Sequence, residues 1–332
     1  MFDERELRKI WYEGEPPGGL LICLGGVFGA LGALRRRMYA WGLLPRRRLP
    51  LPVVVVGNIS VGGTGKTPLV IALVEGLRAR GFRPGVISRG YAGSARQALA
   101  VDARSDPALV GDEARLIFDT TGAPVQVGRD RAAAGSALLQ RHNEVDVLIA
   151  DDGLQHYKLC RNVEICVIDG ERRLGNGRLL PAGPLREPTS RLDAVDFLVC
   201  NGGEARPQDV RMLLRGDEAI ALADPGARRA LADFAGQRVH AVAGIGNPQR
   251  FFTQLRVAGI DVIEHAFPDH HPFVPAELDF GDTLDVLMTP KDAVKCLAFA
   301  RERQWQVPVR AELPGAFFDA VAVRLKKVRA GD

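Results

Sequence analysis

Short runs of apolar residues alternate with longer amphipathic stretches from residue 49 onward. The clearest run is Val53–Val56, four β-branched residues that are too few for most helices and lack the alternation of a half-exposed strand. We therefore predict a strand covered on both faces. Similar runs predict strands at Gly85–Ser88, Pro124–Val127, Val145–Ala150, Val163–Ile168 and Ala194–Cys200. Helices are predicted between them at Lys66–Arg80, Glu113–Asp119 and Arg131–Arg141.

This alternation predicts an α/β fold with a mainly parallel sheet and helices on both faces. A second set of elements follows residue 201. Its strands are predicted at Val239–Ala243, Asp261–His265 and Asp285–Met288, and its helices at Pro248–Val257 and near Asp292–Arg301. We expect three parts: an N-terminal helical segment (1–48), a first α/β domain (49–200) and a smaller second α/β domain (201–325).

The N-terminal segment contains an uncharged run, Gly18–Leu34, followed by Arg35–Arg37 and Arg46–Arg48. As a helix the run would be about 25 Å long, slightly less than the roughly 30 Å of a bilayer's hydrocarbon core. Six of its large apolar residues share one stripe, as in an interfacial membrane helix. They are Leu20, Leu24, Val27, Phe28, Leu31 and Leu34. The alternative is a buried helix with a solvated arginine collar.

Charge is unevenly distributed along the 332 residues. The net charge of +4 conceals a stretch, residues 19–48, that holds six arginines and no acidic residue, while residues 49–332 hold 35 charges of each sign. Arginines at a membrane surface attract anionic lipids. Nucleic-acid binding is not expected, because the arginines lack interleaved aromatics and the remaining chain is neutral. The five scattered cysteines predict buried, reduced thiols and exclude a disulfide scaffold.

A glycine-rich segment follows the first predicted strand and precedes a predicted helix. Such a loop offers backbone N–H groups to a phosphate chain, so the fold is expected to resemble P-loop NTPases and the loop to bind the phosphates of a nucleotide. Lys66 would reach the β- and γ-phosphates, and the Thr67 hydroxyl would bind Mg²⁺. Ser60 stands where the general motif has glycine. The predicted nucleotide-binding residues are Ser60, Val61, Gly62, Gly63, Thr64, Gly65, Lys66 and Thr67.

An acidic pair, Asp151 and Asp152, follows the predicted strand Val145–Ala150. A carboxylate that ends a buried strand beside a phosphate loop is a typical Mg²⁺ position, and two adjacent carboxylates repel each other unless a cation lies near them. A helix cap or a turn is the alternative for this pair.

Seven motifs in this order resemble the tetraacyldisaccharide 4′-kinase family, the lipid A kinases of Gram-negative bacteria, over roughly residues 10–300. They are Ser60–Pro68, Ser88–Tyr91, Val110–Glu113, Asp151–His156, Gly175–Glu187, Phe267–His271 and Thr289–Lys295. The resemblance implies transfer of the ATP γ-phosphoryl group to the 4′-hydroxyl of a lipid A disaccharide precursor. It also implies work at the cytoplasmic face of the inner membrane, with no obligate protein partner expected.

The resemblance also implies roles for individual residues. Asp112 is the candidate general base, with His270 as its partner and His271 as the rival for that place. Their alternatives are a helix N-cap for Asp112 and a loop or metal site for the histidines. Arg186 would stabilise phosphate charge, and Glu187 would contact Mg²⁺ or water; a surface ion pair is the alternative for these two. The metal residues expected in all are Thr67, Asp151, Asp152 and Glu187.

Further residues are assigned more loosely from the same motifs. Arg89 and Tyr91 are expected to face the substrate, and Gln155 and His156 to organise the site. Lys291 would contact the nucleotide or merely begin a helix.

Two other functions fit a nucleotide-binding membrane protein. One is a P-loop GTPase or ATPase that regulates a process at the membrane, although Thr289–Asp292 has the wrong order for the guanine-reading N-K-x-D motif. The other is a nucleotide-binding adaptor without catalysis.

Overall fold

The computed structural model of the chain describes residues 4–90, 93 and 97–330, and its strands form two sheets. The strands are β1 (Val53–Gly57), β2 (Pro84–Ser88), β3 (Leu99–Val101), β4 (Val125–Val127), β5 (Val147–Ala150), β6 (Val163–Asp169), β7 (Phe197–Asn201), β8 (Val210–Arg215), β9 (Glu218–Ala221), β10 (Arg228–Ala230), β11 (Arg238–Ala243), β12 (Asp261–Ala266), β13 (Asp285–Met288), β14 (Gln304–Gln306) and β15 (Arg310–Glu312). The α-helices are α1 (Glu4–Tyr12), α2 (Gly19–Ala40), α3 (Lys66–Arg78), α4 (Pro107–Val110), α5 (Asp112–Thr121), α6 (Arg131–Arg141), α7 (Pro248–Val257), α8 (Pro290–Cys296) and α9 (Gly315–Ala330).

The first sheet has the strand order β15-β8-β7-β6-β1-β5-β2-β4-β3. Its inner strands, from β8 to β4, run parallel, and the edge strands β15 and β3 pair antiparallel to their neighbours. The predicted mainly parallel α/β fold is therefore confirmed.

The valine run forms the centre of this sheet. Val54 and Val56 pack in one core with α3 and α9, whereas Val53 and Val55 pack in a second core with α6 on the opposite face. Each fully buried valine contributes about 1.5–3 kcal/mol of hydrophobic stabilisation. Burial on both faces is why the run carries no polar residue.

The second sheet has the order β10-β9-β14-β13-β11-β12, with β12, β11, β13 and β14 parallel. Helix α7 has the predicted bounds. The helix predicted near Asp292–Arg301 instead begins at Pro290 and ends at Cys296, with a 3-10 turn at Leu297–Phe299. The Thr289 side chain accepts a hydrogen bond from the Asp292 N–H and caps the helix, with proline in its first turn.

The chain changes sheets later than the expected boundary after residue 200. Strand β8 still belongs to the first sheet, and the chain returns to that sheet with β15 and α9, a region assigned to the second domain up to residue 325. Phe317, Val321 and Leu325 of α9 are buried in the first core. Only the stretch from β9 to β14 belongs to the second sheet.

Helix α2 is longer than the uncharged run from which it was predicted. Its 22 residues include Arg35–Arg37 and span about 33 Å, so by length and composition it is able to cross a membrane. The alternative of a buried helix is wrong, because only Leu21 and Gly25 of the 22 residues of α2 are buried. All six residues of the predicted apolar stripe are exposed, Leu20 and Leu31 by 66% and 63%.

All five cysteines lie in the described residues and are free, as predicted for reduced thiols. Burial was expected for all of them, but Cys23 is exposed on α2 and Cys160 is half-buried.

Candidate active site

The glycine-rich segment forms a loop between β1 and α3. Lys66 is the first residue of α3, and Gly65 before it has a φ of 93°. A β-carbon at Gly65 would lie 2.3 Å from Asn201 Nδ2, so both the backbone conformation and the neighbour require glycine. A glycine-rich turn that leads from a buried strand into a helix N-terminus is a phosphate-binding arrangement.

Hydrogen bonds with neighbouring segments hold this loop in place. Asn201 Nδ2 donates to the Thr64 carbonyl at 2.9 Å, and the Val61 N–H donates to the Pro184 carbonyl at 2.9 Å. Ser60 forms an antiparallel bridge with Leu185 and is buried, which explains why glycine is not needed there. Gly62 and Gly63 are exposed and line the cavity described below.

Asp152 lies directly in front of the loop. Its Oδ1 is 3.6 Å from Lys66 Nζ, and its Oδ2 is 3.6 Å from Arg186 Nη1. Burial alone would raise the pKa of Asp152, but the positive charges of Lys66 and Arg186 outweigh it and the pKa is lowered. Three predicted site residues are therefore together: a lysine, an arginine and the carboxylate between them.

Asp151 is buried beside this group with an unsatisfied oxygen. It is 1% exposed, its Oδ2 accepts a 3.5 Å hydrogen bond from Ser88 Oγ, and within the described residues its Oδ1 has no hydrogen-bond partner. Burial, together with the charges of Glu113 and Asp152, raises the pKa of Asp151 to about 7. An orphaned buried carboxylate oxygen beside a phosphate loop suits a cation.

The residues fit Mg²⁺ in the manner usual for phosphoryl-transfer sites. Mg²⁺ keeps several waters and binds one or two carboxylates plus substrate phosphates, rather than an all-protein cage. Among the described residues, no group of three His, Cys, Asp or Glu side chains is arranged to hold a metal. Thr67 lines the cavity together with Asp152.

Glu187, also predicted as a metal residue, is engaged elsewhere. Its Oε2 accepts a 2.9 Å hydrogen bond from Gln155 Nε2, and its Oε1 accepts one from the Tyr157 hydroxyl. Arg36 Nη1 of α2 is 3.5 Å from Oε1. Both oxygens thus accept hydrogen bonds from protein side chains, and the expected contact of Glu187 with Mg²⁺ or water stays a prediction.

Asp112 and His270 meet across the cleft between the two sheets. Asp112 is the first residue of α5 and is 4% exposed, and His270 lies in the segment after β12. His270 Nδ1 is 3.1 Å from Asp112 Oδ1 and 3.0 Å from Oδ2. The neighbouring His271 instead places its Nε2 2.9 Å from both Glu277 oxygens. His270, and not His271, is therefore the partner of Asp112.

The two groups favour each other's charged forms. Burial would raise the pKa of Asp112, but the hydrogen bond from His270 and the charge of Lys291 lower it. Burial would likewise lower the pKa of His270, but the hydrogen bond to Asp112 and the charge of Asp112 raise it. Asp112 is consequently held as a carboxylate and His270 is biased towards imidazolium.

Lys291, in the first turn of α8, completes this cluster. Its Nζ is 3.2 Å from Glu113 Oε1, 3.0 Å from Asp269 Oδ1 and 3.3 Å from His270 Nε2. Burial would lower the pKa of Lys291, but the surrounding carboxylates outweigh it and raise the pKa. Lys291 therefore bridges the two sides of the cleft.

A cavity of about 860 Å³ joins the phosphate loop to this cluster. Lys66, Thr67, Asp152 and Arg186 line it from the first sheet's side, and His270 and Lys291 line it from the other side. Its walls thus come from both sheets, and clefts between such units are common places for ligand sites.

Other residues at the site were not singled out from the sequence. Arg250 Nη2 donates to Asn201 Oδ1 at 2.9 Å and lines the cavity. Arg131 is buried and donates from Nη2 to the Asp151 and Asp152 carbonyls at 3.3 and 3.1 Å. Asn201 could have been found as the last residue of a strand near the loop. Arg131 and Arg250 lie on helices and carry no comparable local signal.

The remaining predicted residues are placed as follows. Gln155 Nε2 donates to the Asn58 carbonyl at 2.9 Å as well as to Glu187. Burial and the nearby charge of Arg131 lower the pKa of His156 to about 4, so its imidazole is neutral. Arg89 is exposed, and Tyr91 lies outside the described residues.

Comparisons with known proteins identify relatives over nearly the whole chain. The family described as tetraacyldisaccharide-1-P 4′-kinase matches residues 18–326. The tetraacyldisaccharide 4′-kinase of Azoarcus sp. (strain BH72) is 53% identical over 327 residues, covering 97% of this chain and 96% of the relative. That of Stenotrophomonas maltophilia (strain R551-3) is 52% identical over 329 residues, covering 96% of each. The crystal structure of LpxK from Aquifex aeolicus in complex with ATP superposes with a TM-score of 0.74 at 27% identity, covering 91% of this chain and 97% of the other.

Proposed function

This chain belongs to the tetraacyldisaccharide-1-P 4′-kinase family, and on that premise we propose how it transfers the γ-phosphoryl group of ATP to the 4′-hydroxyl of tetraacyldisaccharide 1-phosphate. Its role is that of a kinase in lipid A biosynthesis. One observation is the main support for this mechanism. Lys66 of the phosphate loop and His270, the partner of Asp112, line the same cavity.

The nucleotide triphosphate lies along the loop from Ser60 to Thr67. The similar LpxK structure is a complex with ATP, which supports ATP as the phosphoryl donor. Lys66 reaches the β- and γ-phosphates, exchanging its contact with Asp152 for a phosphate oxygen. Arg186, also beside Asp152, neutralises charge that develops on the transferred group.

Thr67, Asp151 and Asp152 would hold Mg²⁺, directly or through water. Bound there, Mg²⁺ would neutralise phosphate charge in the transition state. Its charge would also relieve the repulsion between the two adjacent carboxylates, each of which has one buried oxygen without a hydrogen-bond partner in the described chain.

Asp112 accepts the proton of the sugar hydroxyl. The O–H bond breaks, the proton passes to the Asp112 carboxylate, the hydroxyl oxygen bonds to the γ-phosphorus, and the bond between that phosphorus and the β–γ bridging oxygen breaks, so that ADP leaves. His270 holds Asp112 in place and keeps it ionised before the transfer. Because the transition state is loose, positioning and charge neutralisation supply most of the catalysis.

Helix α2 places the enzyme at its lipid substrate. Each acyl CH₂ exposed to water costs about 0.8 kcal/mol, so a multiply acylated acceptor stays in the bilayer. The exposed apolar stripe of α2 and the arginines of residues 35–48 suit the cytoplasmic face of the inner membrane, where anionic lipids attract basic segments.

We also propose two folding units that differ from the division expected from the sequence. Residues 49–215 with 310–330 form the nucleotide-binding unit, and residues 218–306 form the smaller unit that supplies His270 and Lys291. The two units close over the substrates and exclude water.

Phosphoryl transfer with ATP or GTP, with and without the lipid acceptor, tests this function. We expect phosphorylated lipid from ATP, and a loss of about 10²-fold or more in kcat for Lys66→Ala. Lys327→Ala, which removes an exposed lysine of α9, is the matched control. Nucleotide hydrolysis that is independent of the acceptor, or a preference for GTP, would instead favour a regulatory P-loop protein.

A further inference from the structure

We propose that Arg36 is a positioning residue for the kinase reaction, because it joins the exposed helix α2 to the phosphate loop through Glu187. This inference rests on the proposed function, since it concerns how the phosphoryl-transfer site is held. It gives Glu187 a role different from the Mg²⁺ contact expected from the sequence.

The first step is the contact between a helix arginine and a buried carboxylate. Arg36 Nη1 lies 3.5 Å from Glu187 Oε1, and the Glu187 side chain is only 3% exposed while that of Arg36 is 25% exposed. Arg36 therefore places its positive charge beside a carboxylate that is buried from solvent. Removing one partner of such a pair leaves a buried charge without compensation, which is strongly unfavourable.

The second step connects Glu187 to the phosphate loop. Gln155 Nε2 donates both to Glu187 Oε2 and to the carbonyl of Asn58, each at 2.9 Å. The residue before Glu187 donates its backbone N–H to the Ile59 carbonyl at 2.6 Å, and that residue is Arg186, whose guanidinium contacts Asp152. A displacement of Glu187 would consequently move the start of the loop and Arg186 together.

The third step shows that α2 and this segment pack as one body. A β-carbon at Gly25 would lie 3.2 Å from the Leu179 carbonyl oxygen, and one at Gly29 would lie 2.6 Å from Leu179 Cδ1, so glycines allow the helix to approach closely. Near the end of α2 the rings of Tyr39 and Tyr157 are 6.0 Å apart. Tyr157 also donates its hydroxyl to Glu187. Helix α2 therefore packs against Leu179 and against Tyr157, a hydrogen-bond partner of Glu187.

Arg37, the next residue, distinguishes this role from simple lipid attraction. It carries the same charge on the same helix turn but is exposed. An arginine that only attracts lipid would affect KM for the lipid acceptor, whereas a residue that positions the loop and Arg186 affects kcat.

The test measures kcat and KM for ATP and for detergent-dispersed tetraacyldisaccharide 1-phosphate with the full chain. The variants are R36Q, R36K, R37Q, E187Q and the double variant R36Q/E187Q. We expect R36Q to reduce kcat about tenfold relative to R37Q while KM for the acceptor stays within about twofold. R36K, which keeps the charge, should recover most of the loss. The double variant should be no slower than the slower single variant, because both remove the same contact.

Equal kcat in R36Q and R37Q, a loss confined to the acceptor KM, or additive losses in the double variant would overturn the proposal. If R36Q folds poorly, as judged from its melting curve, E187Q decides, and a normal kcat in E187Q contradicts the proposal. Absence of phosphorylated lipid with the unmodified chain would overturn the proposed function as well, whereas a normal product with normal R36Q turnover would overturn this inference alone.

Discussion

Asp112 Oδ2 and His270 Nδ1 lie 3.0 Å apart although the two residues are separated by 158 positions in the chain. One begins a helix packed on the nine-stranded sheet, and the other follows a strand of the six-stranded sheet. The contact between Asp112 and His270 therefore depends on how the segments of the two sheets pack against each other.

Asp112→Asn should lower kcat by about 10²-fold or more, because the amide cannot accept the hydroxyl proton. If Asp112 and His270 act as one unit, the double variant Asp112→Asn, His270→Ala should be about as slow as the slower single variant. Steady-state kinetics with saturating ATP and acceptor measures this. Asp193→Asn, which changes an exposed carboxylate, serves as control, and near-normal turnover of Asp112→Asn would refute the role of base.

The titration of His270 should depend on Asp112. Its pKa is raised above the ordinary 6.5, since the hydrogen bond to Asp112 outweighs burial. In Asp112→Asn, burial and the charge of Lys291 both act to lower it, so the imidazole should lose its proton at a lower pH. NMR titration of the histidine rings measures this change, with His142, a 40% exposed side chain, as internal reference. An unchanged His270 titration would contradict the pairing.

The same pair predicts a pH window for stability. The contribution of His270 is fully present below its unfolded pKa near 6.5 and is lost as pH rises through the higher folded pKa. The contribution of Asp112 is present above 3.8 and is lost as pH falls through the lower folded pKa. Relative to His270→Ala, the unmodified chain should be most stabilised between these limits, as measured by urea unfolding at several pH values. A constant difference at all pH values would contradict the linkage.

Gly65→Ala should impair ATP binding. The new methyl group would meet Asn201 Nδ2 at 2.3 Å, and alanine at a φ of 93° costs about 1–2 kcal/mol. Gly236→Ala is the matched control, because Gly236 also has a positive φ, 73°, but open space around its β-carbon position. Both variants should be less stable, while a large rise in the Kd for ATP should be specific to Gly65→Ala. Equal ATP affinity in the two variants would contradict the proposed geometry of the loop.

Replacing arginines 35, 37, 46, 47 and 48 by glutamine should weaken binding to vesicles that contain anionic lipid. Each arginine near such a surface contributes about 1 kcal/mol, and salt screens this attraction. Replacing the exposed Leu20 and Leu31 by asparagine should weaken binding with little salt dependence, because the apolar contribution is lost instead. Vesicle sedimentation at several salt concentrations separates the two contributions. Unchanged association in the arginine variant would reject the electrostatic part.

Much of the central fold is predictable because its signals are local. Val53–Val56 predicts the central strand, since the alternate residues of β1 face two different cores. Strands β8 and β15 are not predicted from the sequence. Strand β15 is a short edge strand, and its pairing with β8, as between Arg310 and Arg215, joins residues that are far apart in the chain. The end of α2 was placed too early because the charges begin at Arg35. Arginine favours helix, however, and the first glycine with a positive φ after the start of α2 is Gly42, beyond the helix end.

The sequence predicts which residues form the site better than it predicts which of them contact each other. The loop from Ser60 to Thr67 is predictable because its glycines and its lysine lie close together in the sequence. The direction in which Glu187 points does not follow from its position after Arg186, because its partners Arg36 and Tyr157 come from separate segments. Likewise the contacts of Lys291 with Glu113 and His270 depend on how the two units meet.

The most direct measurement of the central claim is the product formed from ATP labelled in its γ-phosphate and purified tetraacyldisaccharide 1-phosphate. Mass spectrometry, together with NMR assignment of the phosphorylated carbon, should show one added phosphoryl group at the 4′ position, and Asp112→Asn should form it at least about 10²-fold more slowly. An unaltered lipid with the unmodified chain, or label at another position, would contradict the account.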